Sequence, residues 1–178
     1  MTSGKGFFQN LTGFLFRKQA GLRPDSTLPV IKTDLQTLNL SEDLLVWFGH
    51  SSYLIQMEGK RLLVDPVFCT AAPVSFVNKP FKGTEVYRPE DMPDIDWAIL
   101  ENGQYNEGWK YIHLMPGYMA AVARELKAAK ILTVHHSKYA LATHPWDEPL
   151  KNARRMRDRD SLPVVIPQIG EVVNMTGH

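Results

Sequence analysis

Ile95-Asp96-Trp97-Ala98-Ile99-Leu100 runs without a break into Glu101-Asn102-Gly103-Gln104-Tyr105-Asn106. The first half is a short apolar run that reads as a buried strand, and the second half is polar and turn-prone, so the chain leaves the strand abruptly. On the N-terminal side, Leu44 to Phe48 is an apolar run closed by Gly49. Ser52 to Met57 then alternates up to Glu58-Gly59, which reads as a hairpin turn. Arg61 to Val64 is a further strand that ends at Asp65-Pro66, because proline cannot continue a central ladder. On the C-terminal side, Pro116 stands where the first turn of a helix tolerates it. Met119, Val122, Ala123 and Leu126 recur at helical spacing through Ala129. Ile131 to Val134 predicts a buried strand. Asp147-Glu148-Pro149 opens a second helix with the apolar stripe Leu150, Ala153 and Met156, and Leu162 to Ile166 and Glu171 to Met175 read as closing strands. Strands followed by alternating helices and strands predict an α/β architecture.

With 178 residues, 44% of them hydrophobic, the chain supports one domain with a core and falls short of two ordinary ones. Residues 1–43 read as an N-terminal helix and extended arm, rich in turn formers from Gly21 to Asn39, and residues 44–178 as the domain proper. Phe7, Phe8, Leu11, Phe14 and Leu15 share one helical face ahead of Arg17 and Lys18. That pattern suits a helix docked on the domain, or peripheral membrane contact through residues 7–18. No signal peptide and no spanning segment is read from the sequence. A net charge of +1 gives no global field toward nucleic acid, and the single cysteine, Cys69, suits a reducing, cytoplasmic compartment. The basic run Arg154, Arg155, Arg157 and Arg159, interleaved with Asp158 and Asp160, reads as a solvated helix face.

His50, His113 and His135 lie at strand or loop ends, where open sheets present functional groups. Each also has the ordinary reading of a hydrogen-bonded structural histidine. Asp96, Glu101 and Glu107 are candidates for acid–base work or for capping. Trp97, Tyr105, Trp109 and Tyr111 suit either a pocket lining or the core. His136 reads as packing, His144 and His178 as solvated, and Cys69 has no basic neighbour in sequence to activate it.

Several motifs occur in a familiar order. They are Trp47-Phe48-Gly49-His50-Ser51-Ser52, Leu62-Leu63-Val64-Asp65-Pro66, Tyr87-Arg88-Pro89, Ile112-His113-Leu114-Met115-Pro116, and Val134-His135 through Trp146-Asp147-Glu148-Pro149. Together they resemble the metallo-β-lactamase superfamily, in the branch that includes N-acylphosphatidylethanolamine-hydrolysing phospholipase D and the L-ascorbate-6-phosphate lactonases. The resemblance implies an αββα sandwich and a zinc-dependent hydrolase, or one using another divalent metal. It would act on a phosphodiester, ester or lactone of a small-molecule or phospholipid-like substrate. Residue by residue, the resemblance makes His135 a metal ligand, places His113 at the substrate, and has Asp65 and His50 bracing the floor of the site.

The chain departs from the family where it matters most. In the family the strand matching Ile95 to Leu100 leads into a Ser-His-x-His-x-Asp-His motif that supplies most of the metal ligands, whereas here Glu101-Asn102-Gly103 follows. The chain therefore reads as internally truncated, with an apparent junction near residues 96–101 where the two halves of the fold share a strand pattern. Two functions compete: a metal-dependent hydrolase, and a non-catalytic remnant acting as a binding or interaction module, with homo-oligomerisation through its exposed sheet.

Overall fold

The computed structural model describes residues 24–68, 80–103, 105–106, 113–139 and 142–175. The expectations placed on the segment 7–18, on Cys69, Glu107, Trp109 and Tyr111, and on His178 lie outside these residues. Six strands form one mixed sheet in the order of the sequence: β1 (Leu44–Gly49), β2 (Ser52–Met57), β3 (Lys60–Val64), β4 (Trp97–Glu101), β5 (Lys130–Val134) and β6 (Val164–Val165). The first three are antiparallel neighbours, and β3 to β6 run parallel. Helix α1 (Pro116–Leu126) connects β4 to β5, and α2 (Glu148–Asp158) connects β5 to β6. Parallel neighbours need such crossovers, whereas β2 and β3 are joined by Glu58-Gly59 alone. Both turn residues have positive φ, 49° and 71°, the backbone that a two-residue hairpin with matching twist requires.

The α/β architecture read from the sequence is the one observed. The described residues build a single sheet with its helices, without the second sheet of a full sandwich. Two strand boundaries differ from expectation. Glu171 to Met175 forms no strand, since Pro167 leads into a turn closed by the Glu171 amide on the Gln168 carbonyl, and Val172 is left in solvent. Helix α1 stops at Leu126 rather than Ala129 because Lys127 takes a left-handed backbone, φ 50°, and its amide returns to the Arg124 carbonyl.

Period-2 alternation assigns each strand residue to one of two faces. One row crosses all six strands in register, Val46–Leu54–Leu63–Ala98–Ile131–Val164, and its last five members are buried. Met119, Ala123 and Leu126 of α1 and Ala153 and Met156 of α2 belong to the same core cluster. The arm belongs to it as well, for Leu35 is 1% exposed within that core. Gln56, fully buried on this face, ties the arm down. Its amide donates to the carbonyls of Asn39 and Glu42, both at 2.7 Å, and its oxygen accepts from Arg61 Nε at 3.0 Å. The opposite face carries a second in-register row, Trp47–Tyr53–Val64–Ile99–Leu132–Val165. None of its members belongs to the core cluster or packs against it.

Candidate functional site

Three consecutive parallel strands end side by side, and a titratable residue closes or directly follows each: Asp65 after β3, Glu101 at the end of β4 and His135 after β5. Carboxyl ends of parallel strands are where open α/β sheets collect functional groups. Local backbone turns sharply here, with positive φ at His50 (51°), Asp65 (41°), His135 (67°) and Ser137 (67°). For residues with a Cβ this region is uncommon and costs on the order of 1 kcal/mol or more each, so surrounding contacts must hold it. Two of those contacts are visible at Asp65. Ser51 Oγ donates to Asp65 Oδ2 at 2.7 Å, and Ser52 Oγ donates to the Asp65 carbonyl at 2.6 Å while accepting from the Val67 amide. The β1–β2 turn thus grips the end of β3.

Glu101 and His113 form an ion pair through Nδ1, both only partly exposed. Burial is the largest influence on Glu101 and pushes its carboxyl up. His113 opposes this, Asp65 reinforces it, and His135 weakly opposes it, with a net upward displacement. The carboxylate therefore senses all three partners named from the sequence, Asp65, His113 and His135, of which it contacts His113.

Immediately after Glu101 the chain is wedged into the protein. Asn102 is fully buried, its amide nitrogen donating to the Pro149 carbonyl at 2.8 Å and its backbone N–H to the Val134 carbonyl at 3.0 Å. Its side-chain oxygen is buried with no hydrogen-bond partner among the described residues. A Cβ at Gly103 would overlap the carbonyl of His135, so only glycine lets the two strand ends approach this closely. Tyr105 packs beneath. Its hydroxyl donates to Glu148 Oε1 at 3.0 Å and accepts from Asn152 at 2.7 Å, and burial first, then Glu148, pushes the phenol well above its ordinary range.

The histidines separate in space. His135 is exposed, with its carbonyl against Gly103. His136, read as packing, is half-buried and hydrogen-bonded: Nε2 faces the Thr133 hydroxyl and carbonyl, and Nδ1 the Ser137 hydroxyl. Burial holds it below the ordinary histidine range. His144, read as solvated, instead stacks on Tyr105 at 4.2 Å between ring centres, with Nε2 3.1 Å from the Gly103 carbonyl. Sequence spacing held no signal for that contact, because the two rings are brought together by α2. His50 is exposed at the rim of an apolar cleft of about 500 Å³ lined by Trp47, Phe48, Phe68, Phe81 and Tyr87 among others. These aromatics were not read as a pocket lining from the sequence, whereas Trp97 and Tyr105, which were read as pocket lining or core, are buried outside the cleft. Asp96 sits at the opposite end of β4, where it accepts from the Arg61 amide and from Lys60 Nζ, both at 2.9 Å.

The donor set was tested for the zinc implied by the resemblance. Among the described residues no three His, Cys, Asp or Glu side chains converge well enough to hold a metal. Glu101 is engaged by His113 and Asp65 by Ser51, so the described residues do not fit a hydrolytic zinc centre, which needs about three protein ligands.

No protein-family model matches the chain. It is 35% identical over 88 residues to N-acyl-phosphatidylethanolamine-hydrolyzing phospholipase D 1 of Caenorhabditis elegans, covering 46% of this chain and 24% of that protein. It is 46% identical over 46 residues to outer membrane protein RomA of Klebsiella pneumoniae, covering 26% of this chain and 35% of that one. An uncharacterized Mycobacterium bovis protein is 28% identical over 90 residues, 49% of this chain and 24% of the relative. The chain thus spans between about a quarter and a third of the length of these relatives. Among solved structures, a Zn-dependent hydrolase of the metallo-β-lactamase superfamily from Thermotoga maritima overlaps 60% of this chain and 84% of its own. The TM-score of 0.30 and 17% identity make that likeness too loose to carry an argument. By its sheet and strand-end cluster the chain is an α/β protein of mixed topology. Over 46% of its length it is similar in sequence to N-acyl-phosphatidylethanolamine-hydrolyzing phospholipase D 1, of which it covers 24%.

Proposed function

We propose that this chain carries the substrate-side part of a metal-dependent hydrolase acting on a phosphodiester, ester or lactone, and that without the metal-holding part it does not hydrolyse such substrates by itself. The observation that supports this reading is the segment after β4. There Glu101 pairs with His113, Asn102 is buried, and Gly103 is pressed on the His135 carbonyl, so the strand end is filled by packed main chain and an acid–histidine pair. In this reading the half-buried Glu101 orients the His113 ring toward substrate oxygen, and Ser51 fixes Asp65 as a bracing carboxylate. His135 is the one family ligand that the motif comparison carries over.

A second reading is an interaction module with no chemistry of its own, favoured by the second sheet face, whose apolar row stands outside the core. Metal analysis combined with hydrolysis of bis-p-nitrophenyl phosphate tests the first reading. The purified chain is expected to hold far less than one equivalent of zinc, iron or manganese and to show no chelator-sensitive hydrolysis. One equivalent of metal, lost together with activity on chelation and reduced in His135→Ala, would overturn the claim that the metal-holding part is missing.

A further inference from the structure

We infer that the aromatic cleft rimmed by His50 binds an organic cation, a quaternary ammonium group carried on an apolar body. The inference needs neither hydrolysis nor a metal, and it stands whether or not the strand-end cluster is catalytic. At about 500 Å³ the cleft falls within the range of small-molecule sites. Among the described residues five aromatic side chains line it: Trp47, Phe48, Phe68, Phe81 and Tyr87. They come from β1, from the residues after β3 and from the loop ahead of β4.

Hydrogen bonds and a ring contact tie these parts together. The Trp47 indole N–H donates to the His50 carbonyl at 3.0 Å, and the Phe48 and Tyr87 ring centres stand 4.7 Å apart, tilted by 46°. The Tyr87 hydroxyl accepts from the Thr33 amide at 3.0 Å, and the Leu28 amide donates to the Lys82 carbonyl at 3.2 Å. The arm thereby holds the loop in place before any ligand arrives.

Charge decides what such a cleft takes. Among the described residues its lining carries one carboxylate, Glu85, and no lysine or arginine. Glu85 is exposed and makes no hydrogen bond or ion pair with another described residue. Of the other polar side chains on the lining, His50 is exposed and the Thr84 hydroxyl already donates to the Phe81 carbonyl at 2.8 Å. Aromatic faces carry negative potential, so the rings and the carboxylate together attract a cation and repel an anion. A metal ion or a primary ammonium would lose water that so few polar groups could not replace. A quaternary ammonium has no N–H to satisfy, and aromatic cages are what recognise it. The cleft is larger than a trimethylammonium head alone fills, which leaves room for an attached apolar body.

Isothermal titration calorimetry on the full chain, comparing para-(hydroxymethyl)phenyltrimethylammonium with its neutral isostere para-tert-butylbenzyl alcohol, tests this. The cation is expected to bind saturably and about tenfold more tightly than the isostere. Trp47 and Phe81 are 66% and 41% exposed, so leucine at either should leave far-ultraviolet circular dichroism unchanged. Trp47→Leu and Phe81→Leu should each weaken the cation about two- to thirtyfold and leave the isostere within about twofold, because leucine keeps apolar surface and removes the ring face. Glu85→Gln should weaken the cation alone, by about threefold. Tyr118→Leu, at an exposed ring of α1 outside the cleft, should change neither. An isostere that binds as tightly as the cation overturns the inference in favour of a plain apolar site. Absence of saturable cation binding overturns it outright, and so does an affinity unmoved by all three cleft variants.

Discussion

Single residues at the strand ends carry more constraint than their chemistry alone requires. Gly103 is the sharpest case, since any side chain there meets main chain that cannot rotate away. We predict that Gly103→Ala destabilises the protein by about 2 kcal/mol or more, in the range of overpacked sites, and moves the His135 backbone. Urea unfolding combined with backbone amide shifts near His135 reads both effects, and an unperturbed variant would refute the close approach. Glu101 gives a pH prediction with a definite sign. Its folded carboxyl is raised above the ordinary glutamate value of 4.5 chiefly by burial, so the favourable contribution is present below that value and is lost as pH rises through the folded one. Unfolding free energies of wild type and Glu101→Gln should therefore diverge as pH climbs above the ordinary glutamate range, the wild type losing ground. A pH-independent difference between the two would contradict it. Asp96 behaves oppositely. Burial is the largest single influence and pushes it up, but the Arg61 amide and Lys60 together outweigh it and leave it lowered.

Elements show how the same residues are shared between packing and position. Helix α1 buries Met119 completely against the sheet, and Met119→Ala is expected to cost about 2–5 kcal/mol through lost contact and a residual cavity. Gln56 joins β2 to the arm by two hydrogen bonds and to Arg61 of β3 by a third, on the buried face of the strand. Gln56→Ala should cost about 1–3 kcal/mol by leaving two carbonyls and Arg61 without their partner, and should raise amide exchange between Asn39 and Glu42. Exchange that stays at its wild-type rate there would show that Leu35 and the arm's other contacts, such as Thr33 to Tyr87 and Arg61 to Leu38, hold it without Gln56. Most of these elements were legible beforehand, because period-2 and period-3.6 patterns, Pro116 at a first helical turn and Glu58-Gly59 at a hairpin act over a few neighbouring residues. The strand expected at Glu171 to Met175 was misread because apolar residues alone do not make a strand: past Pro167 the chain turns, with the Glu171 amide closing on the Gln168 carbonyl.

At the scale of the molecule, the mixed sheet gathers Asp65, Glu101 and His135 onto one edge without assembling a metal site among the described residues. Zinc at about a hundred times its dissociation constant would add about 2.7 kcal/mol to a protein that binds it only when folded. We therefore expect added zinc to leave Tm unchanged in differential scanning calorimetry, and a rise of several degrees would contradict the donor geometry.

The candidate site was legible in its positions, since strand ends can be read from where apolar runs stop. Its pairings were not. Nothing local joins Glu101 to His113, Ser51 to Asp65, or His144 to Tyr105, because these contacts depend on which strands and helices become neighbours. The sequence by itself determined the strands, the two helices, the hairpin and the break after Leu100, all set by short-range sterics and by the periodicity of apolar side chains. Only the tertiary structure decided that the break is packed into the protein, that Leu35 and Gln56 bind the arm to the domain, and that one apolar row is buried while its twin is only partly covered. Burial depends on what lies across the sheet, and that is a property of the folded whole.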